Sequence, residues 1–258
     1  YASQAAPAPE QINPKLKGGL RSGLLFDVGT GATLWSRAPE RILPIASLTK
    51  MMTALVVTDR ARPSARVLIA PDAVHFVGSG VGLLPLGRRV SLEALLYGLL
   101  LVSGNDAAIA LADHVGGSQP RFIAMMNARA QRMGLRCTHF TSPSGIVDRG
   151  NHSCAHDLAI IAHAVLERRV LAKIVASRTA ILPFPIKGGK LYLYSNNPLL
   201  RLGYPGVDGV KTGFTTAAGQ CLVATVRHGH ARLGVVLLHS ANAVDQAQQL
   251  LNAGFARL

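Results

Sequence analysis

Ser47 and Lys50 stand three residues apart in "PIASLTKMM" (44–52). If this stretch opens a helix, positions i and i+3 share one face. Ser47 then sits at the N-terminal end, where free N–H groups and the helix dipole favour negative charge. A serine hydroxyl is a poor nucleophile until a base takes its proton. A neutral lysine is such a base when burial or a nearby cation lowers its pKa. The two side chains make a nucleophile with its own base. Taken alone, the pair also describes a serine cap followed by a surface lysine. The lysine stands out because only seven of the 27 basic residues are Lys.

Two further triplets carry chemistry. In "SGN", Ser103 can relay a proton to a leaving amine, and the Asn105 amide can hold a substrate carbonyl. In "KTG", Lys211 adds a positive charge that helps keep Lys50 neutral, and Thr212 can bond a carboxylate. Gly213 lets a substrate backbone lie close to its strand, pairing as an added strand would. Singly, these triplets read as a helix-breaking turn and a polar strand end.

The elements that must position these groups follow from pattern. Segments 20–28 and 33–37 read as strands around the Gly-rich turn 28–32. A helix is expected from Ser47, with Leu48, Met51, Met52, Leu55 and Val56 on one stripe. Residues 60–90, rich in Gly and Pro, read as loops with short strands. Ser91 caps a helical stretch to Ala112 that "SGND" interrupts, so two helices meet at a tight loop. Helices are expected over 118–133 and 155–176, the second with a break. A hairpin follows at 178–184 and 190–194. Strands are expected at 207–215, 219–226 and 231–239, and a final helix is marked by Val244, Ala247, Leu251 and Phe255. Strands at both ends and helices between predict an α+β fold. The terminal strands share one antiparallel sheet covered by the first and last helices. Residues 20–60 and 177–258 form the sheet part of a single domain 20–258, and about 61–176 the helical lobe. Residues 1–19, opening on "YASQAAPAPEQINPK", read as a linker or mature N-terminus. The site belongs in the cleft between sheet and lobe.

Bulk composition narrows the function class. The chain of 258 residues carries a net charge of +14, which points to an anionic partner: nucleic acid, a membrane surface or an acidic polymer. The charge is spread along the chain, aromatics are 5%, and no nucleic-acid-binding signature accompanies them, so nucleic acid is not expected. The longest apolar run, "ALLYGLLLV" (94–102), is far short of the ~20 residues of a membrane span. Cys221 lies in a strand-like apolar run. Cys137 and Cys154 flank a Pro-, Gly- and Ser-rich loop; they form a disulfide if the protein is exported, and otherwise stay reduced and buried.

Taken in order, S-x-x-K, S-D-N and K-T-G are the motif set of penicillin-binding proteins and class A β-lactamases; here the middle motif is S-G-N, which keeps the Ser and Asn and changes only the residue between. "SLTKMMTAL", "SGNDAAIALA", "TSPSGI" and "VDGVKTGFTTAAGQCL" resemble the low-molecular-mass penicillin-binding proteins that are D-alanyl-D-alanine carboxypeptidases. The resemblance runs from about residue 20 to the C-terminus. It implies a β-lactamase-like catalytic domain acting outside the cytoplasmic membrane on peptidoglycan stem peptides that end in D-Ala-D-Ala. It also implies acylation by β-lactams and no metal or other cofactor. Carried over by motif, Ser47 is the acylated nucleophile and Lys50 its base, with Ser103 and Asn105 assisting. Lys211 and Thr212 hold the terminal carboxylate. Gly213, Phe214 and Thr215 continue the substrate-binding strand, and the N–H groups of Ser47 and Phe214 form the oxyanion hole. Phe214 stands where some relatives have His. Many relatives carry a β-rich domain and an amphipathic anchor after the catalytic domain.

Other readings share some of these features. A serine β-lactamase has the same motifs, but no deacylating Glu is evident. A β-lactam sensor would acylate without turnover. A zinc enzyme using His152, His156, Asp157 and His163 lacks an HExxH motif. An α/β-hydrolase would need a G-x-S-x-G elbow, which is absent.

Overall fold

A computed structural model describes residue 12 and residues 14–146 and 149–258. Its strands and helices in chain order are β1 (Leu20–Asp27), β2 (Thr33–Arg37), β3 (Leu43–Pro44), α1 (Lys50–Arg60), β4 (Arg66–Leu68), α2 (Pro71–Val74) and β5 (Arg89–Ser91). Then come α3 (Leu92–Leu100), α4 (Asn105–Gly116), α5 (Gln119–Arg132), β6 (His152–Ser153), α6 (Ala155–Leu166) and α7 (Arg169–Val175). The chain closes with β7 (Thr179–Pro183), β8 (Lys190–Tyr194), α8 (Pro198–Leu202), β9 (Val207–Thr215), β10 (Gly219–His228), β11 (Ala231–Ser240) and α9 (Ala243–Phe255).

The main sheet has the order β2-β1-β11-β10-β9, and its neighbouring strands pair antiparallel. The N-terminal and C-terminal strands thus share one sheet. The centres of β10 and β11 are buried continuously rather than alternately, as strands covered on both faces must be. Alternate residues serve two cores. Leu25, Leu222, Ala224, Val235 and Leu237 face α9, with its Ala247, Leu250 and Leu251. Leu24, Phe26, Val223, Val236 and Leu238 join the larger core of the helical part. There the helix packed most closely on β1 and β11 is α6, whereas the sequence reading put the first helix in that place. Helix α1 lies deeper, among α3, α4, α5 and α6; its residues Met51, Met52, Ala54, Leu55 and Val57 are fully buried. An apolar stripe reports that a face is buried, not which neighbour buries it. Ile12 and Leu16, within the stretch read as a linker, pack on the α9 core.

Candidate active site

Ser47 does not begin the α-helix. It lies in a 3-10 turn, Ala46–Thr49, that runs into α1 at Lys50. Ala46 has φ 47°, a left-handed conformation that a residue with a Cβ rarely adopts. The turn is held from several sides. Thr49 Oγ1 donates to Ala46 O (2.8 Å), and Asn151 Nδ2 donates to Thr49 Oγ1 (2.8 Å). Thr53 Oγ1 donates to Pro143 O (2.6 Å), tying α1 to the "TSPSGI" loop. Gly145 in that loop has φ +79°, and a Cβ there would lie 2.6 Å from Thr49 Oγ1 and 2.7 Å from the Ala46 carbonyl carbon. The glycine lets the loop reach the backbone beside Ser47.

The i, i+3 pairing survives the tighter turn. Lys50 Nζ is 2.8 Å from Ser47 Oγ, 2.7 Å from Asn105 Oδ1 and 2.7 Å from Ser144 O. Asn105 Nδ2 donates to the Val77 carbonyl (2.6 Å), which can only accept, so its Oδ1 is the atom turned to Lys50. Two of the three partners of Nζ are therefore obligate acceptors. A neutral amine has two N–H donors and one lone pair. The donors go to Asn105 and Ser144, and the lone pair is left facing the Ser47 hydroxyl. Lys50 has no exposed surface. Burial holds its pKa well below the ordinary lysine value; the Lys211 charge lowers it further, and Asp106 opposes both.

The "SGN" turn joins α3 to α4. Ser103 has φ 64°, a second side chain held in the left-handed region. The loop before β5 closes over this turn. Asn105 N donates to Ser79 O (2.8 Å), and the Asp106 carboxylate accepts from Val81 N and Gly82 N at 2.9 Å each. Asp106 is 1% exposed. Neither it nor the carbonyls of Val77, Ser79 and Ser144 stood out in the sequence. The aspartate follows the motif directly, but backbone acceptors leave no side-chain signal.

The "KTG" residues lie on β9, the edge strand of the main sheet. Lys211 is buried, its Nζ donates to Thr212 O (2.9 Å), and burial lowers its pKa from 10.5 to about 7. Gly213 has a use nearer home than substrate. A Cβ there would lie 2.9 Å from Ile45 O and 3.1 Å from Ser47 N. Its bare backbone is what seats the Ser47 turn against β9. Phe214 is 68% exposed. Thr215 Oγ1 accepts from Ala218 N (3.0 Å) in the β9–β10 turn.

Ser47, Ser103, Thr212, Gly213 and Phe214 line one open cleft of about 350 Å³, together with Ser79, Asn196 and Pro198. Lys50, Asn105 and Lys211 are buried beside it, and Thr215 lies at the end of β9. The three motifs, far apart in sequence, therefore meet around Ser47.

The remaining polar clusters have other duties. Cys137 and Cys154 form a disulfide with Cα atoms 5.5 Å apart, and Cys221 is buried. Asp157 accepts from Cys137 N and Thr138 Oγ1, both at 2.7 Å. His163 Nδ1 is 3.1 Å from Val28 O. With His156 it lines a separate, largely apolar cavity between the β1–β2 turn and α6. Among the described residues, His152, His156, Asp157 and His163 do not converge on one point.

Known proteins share this fold. The family model described as D-alanyl-D-alanine carboxypeptidase, peptidase S11, matches residues 11–242. The carboxypeptidase DacF of Bacillus subtilis is 32% identical over 235 residues, covering 89% of this chain and 60% of that protein. DacB2 of Mycobacterium tuberculosis is 36% identical over 247 residues, covering 93% and 83%. The chain spans about three fifths of the length of several curated relatives. A crystal structure of a D-alanyl-D-alanine carboxypeptidase from Mycobacterium tuberculosis superposes with TM-score 0.89 at 32% identity, covering 98% of this chain and 96% of that one. A variant of a Streptomyces DD-transpeptidase superposes with TM-score 0.86 at 32% identity, covering 94% and 100%. By motif order, fold and family match together, the chain belongs to the D-alanyl-D-alanine carboxypeptidase family of serine peptidases.

Proposed function

We propose that residues 20–258 form one catalytic domain that removes the terminal D-Ala from peptidoglycan stem peptides through an acyl-enzyme on Ser47. The observation that carries this reading is the Lys50 amine, buried, 2.8 Å from Ser47 Oγ, with its other contacts going to obligate acceptors. Lys50 Nζ takes the Ser47 proton as Oγ attacks the carbonyl carbon of the penultimate D-Ala. The N–H groups of Ser47 and Phe214 receive the developing oxyanion, a contribution of ~3–4 kcal/mol per donor in other enzymes. The C–N bond then breaks, the proton passes to the D-Ala amine by way of Ser103, and an ester remains on Ser47. Water, deprotonated by the same base, hydrolyses the ester. Lys211 and Thr212 hold the terminal carboxylate, and Asn105 holds a substrate amide. The free edge of β9 accepts the peptide as an added strand. A β-lactam meets the same nucleophile and stays as a penicilloyl ester.

The Cys137–Cys154 disulfide supports work in an oxidising space outside the cytoplasm. No helix among the described residues is long and apolar enough to cross a membrane. The +14 charge supports attraction to anionic wall polymer or lipid headgroups. The direct test is D-Ala release from an N-acylated peptide ending in D-Ala-D-Ala. Release by the wild type and none by Ser47→Ala supports the reading; release by Ser47→Ala contradicts it. Penicilloylation without D-Ala release would make the domain a sensor. Rapid penicillin hydrolysis without D-Ala release would make it a β-lactamase.

A further inference from the structure

Asn196 bounds the Ser47 cleft on one side. This residue also lines a second pocket, formed with Arg178, Tyr194 and Arg201. It is the wall common to both. Asn196 N donates to Leu101 O (2.9 Å) and its Nδ2 to Val102 O (3.1 Å), immediately before Ser103. Ser195 N donates to Arg178 O (2.8 Å), closing the base of the β7–β8 hairpin. The second pocket is thus fixed to the turn that carries Ser103.

Its chemistry is cationic and aromatic. Arg178 reaches across to the backbone of α8, its Nη2 donating to the Arg201 carbonyl at 3.3 Å. Among the described residues neither guanidinium makes an ion pair. Guanidinium groups that line one pocket without a carboxylate partner can take an incoming anion through their N–H forks. Strand β8 extends the feature. Its burial alternates, so Leu191 and Leu193 face the core while Lys190, Tyr192 and Tyr194 face outward. Tyr192 is 54% and Tyr194 65% exposed. Outward tyrosines on a strand, with basic residues at both ends, suit a polymer that has flat apolar faces and regularly placed carboxylates.

We propose that Arg178, Arg201 and Tyr194, continued by Tyr192 and Lys190, form a subsite that holds the carboxylate-bearing glycopeptide polymer beyond the residues being cleaved. This rests on the peptidase reading above and extends it. The arginines take a carboxylate of the stem peptide, and the tyrosines take the apolar faces of the strand.

The test compares three proteins: the wild type, Arg178→Ala/Arg201→Ala, and the charge-matched control Arg62→Ala/Arg132→Ala, whose exposed arginines lie outside both pockets. Each is measured for co-sedimentation with purified sacculi, D-Ala release from sacculi and from a short N-acylated D-Ala-D-Ala peptide, and benzylpenicillin acylation. The expected result is a loss of about tenfold or more in sacculus affinity and turnover for the first double variant only. Its acylation and short-peptide turnover stay within about twofold of wild type. A Tyr194→Ala variant loses sacculus affinity in the same direction. Equal sacculus binding by all three proteins overturns the proposal. So does an equal loss in both double variants, because net charge would then account for the binding. If the wild type releases no D-Ala from any substrate, the peptidase reading fails, while sedimentation still decides the subsite.

Discussion

Gly145→Ala should disable the site from a position outside the cleft lining. The new Cβ would lie 2.6 Å from Thr49 Oγ1, 2.7 Å from the Ala46 carbonyl carbon and nearer still to its oxygen. An ordinary carbon–oxygen contact needs at least about 3.3 Å. Either the Ala46 backbone or the 142–146 loop must therefore move by about 1 Å. The first movement displaces Ser47, the next residue. The second withdraws the Ser144 carbonyl from Lys50 Nζ, stretching a 2.7 Å hydrogen bond beyond its useful range. Alanine at φ +79° adds ~1 kcal/mol of backbone strain, and the overpacking costs ~1–3 kcal/mol. Together these lower the melting temperature by about 4–16 °C in a chain of this size. A misplacement of about 1 Å lowers the benzylpenicillin acylation rate by about a hundredfold. Thermal unfolding and the second-order acylation rate constant check both effects. A variant that melts within about 1 °C of wild type and acylates within about twofold would refute this packing argument.

Three other outcomes follow from the same geometry. Lys50 must be neutral to act, and Lys211 lowers its pKa while Asp106 raises it; the acid limb of acylation should move to higher pH in Lys211→Met and to lower pH in Asp106→Asn, and shifts of the same sign would reject the assignment. Both lysines have folded pKa values below the unfolded value, so the cost of burying the Lys211 charge is fully present below about pH 7 and is relieved as pH rises; unfolding free energy should climb from there toward pH 10, with a smaller slope in Lys211→Met by denaturant titration. Reducing the Cys137–Cys154 bridge, which spans a sequence separation of 17, should cost ~3 kcal/mol, read as a fall in melting temperature with reductant that a Cys137→Ser/Cys154→Ser variant no longer shows.

Much of the architecture was legible because its signals are local. The runs at 219–226 and 231–239 are apolar without alternation, and they are the central strands of a sheet covered on both faces. The break at "SGND" and the spacing of Ala247 and Leu251 likewise placed helix ends and faces. What escaped was set by tertiary contact. Pro198–Leu202 is a helix too short to show a period. Helices α1 and α6 are both rich in buried apolar residues, and only packing decides which one lies on the sheet. Ser47 sits in a 3-10 turn because Gly145 and Gly213 bring other backbones against it, and a glycine in the sequence does not say what approaches it. The acceptors of Lys50 and Asn105 are partly carbonyls, Ser144 O and Val77 O, which every residue possesses. Arg178 and Arg201 looked like two among many arginines until α8 and the hairpin set them at one pocket.

The central claim is that Ser47 is the nucleophile and Lys50 its base. Intact-mass spectrometry after mixing with benzylpenicillin, followed by peptide mapping, tests it most directly. The account predicts one penicilloyl adduct, on Ser47, that forms rapidly in the wild type, is absent in Ser47→Ala, and is slowed at least about a hundredfold in folded Lys50→Ala. An adduct on another residue, or one that forms at the wild-type rate without Lys50, would contradict it.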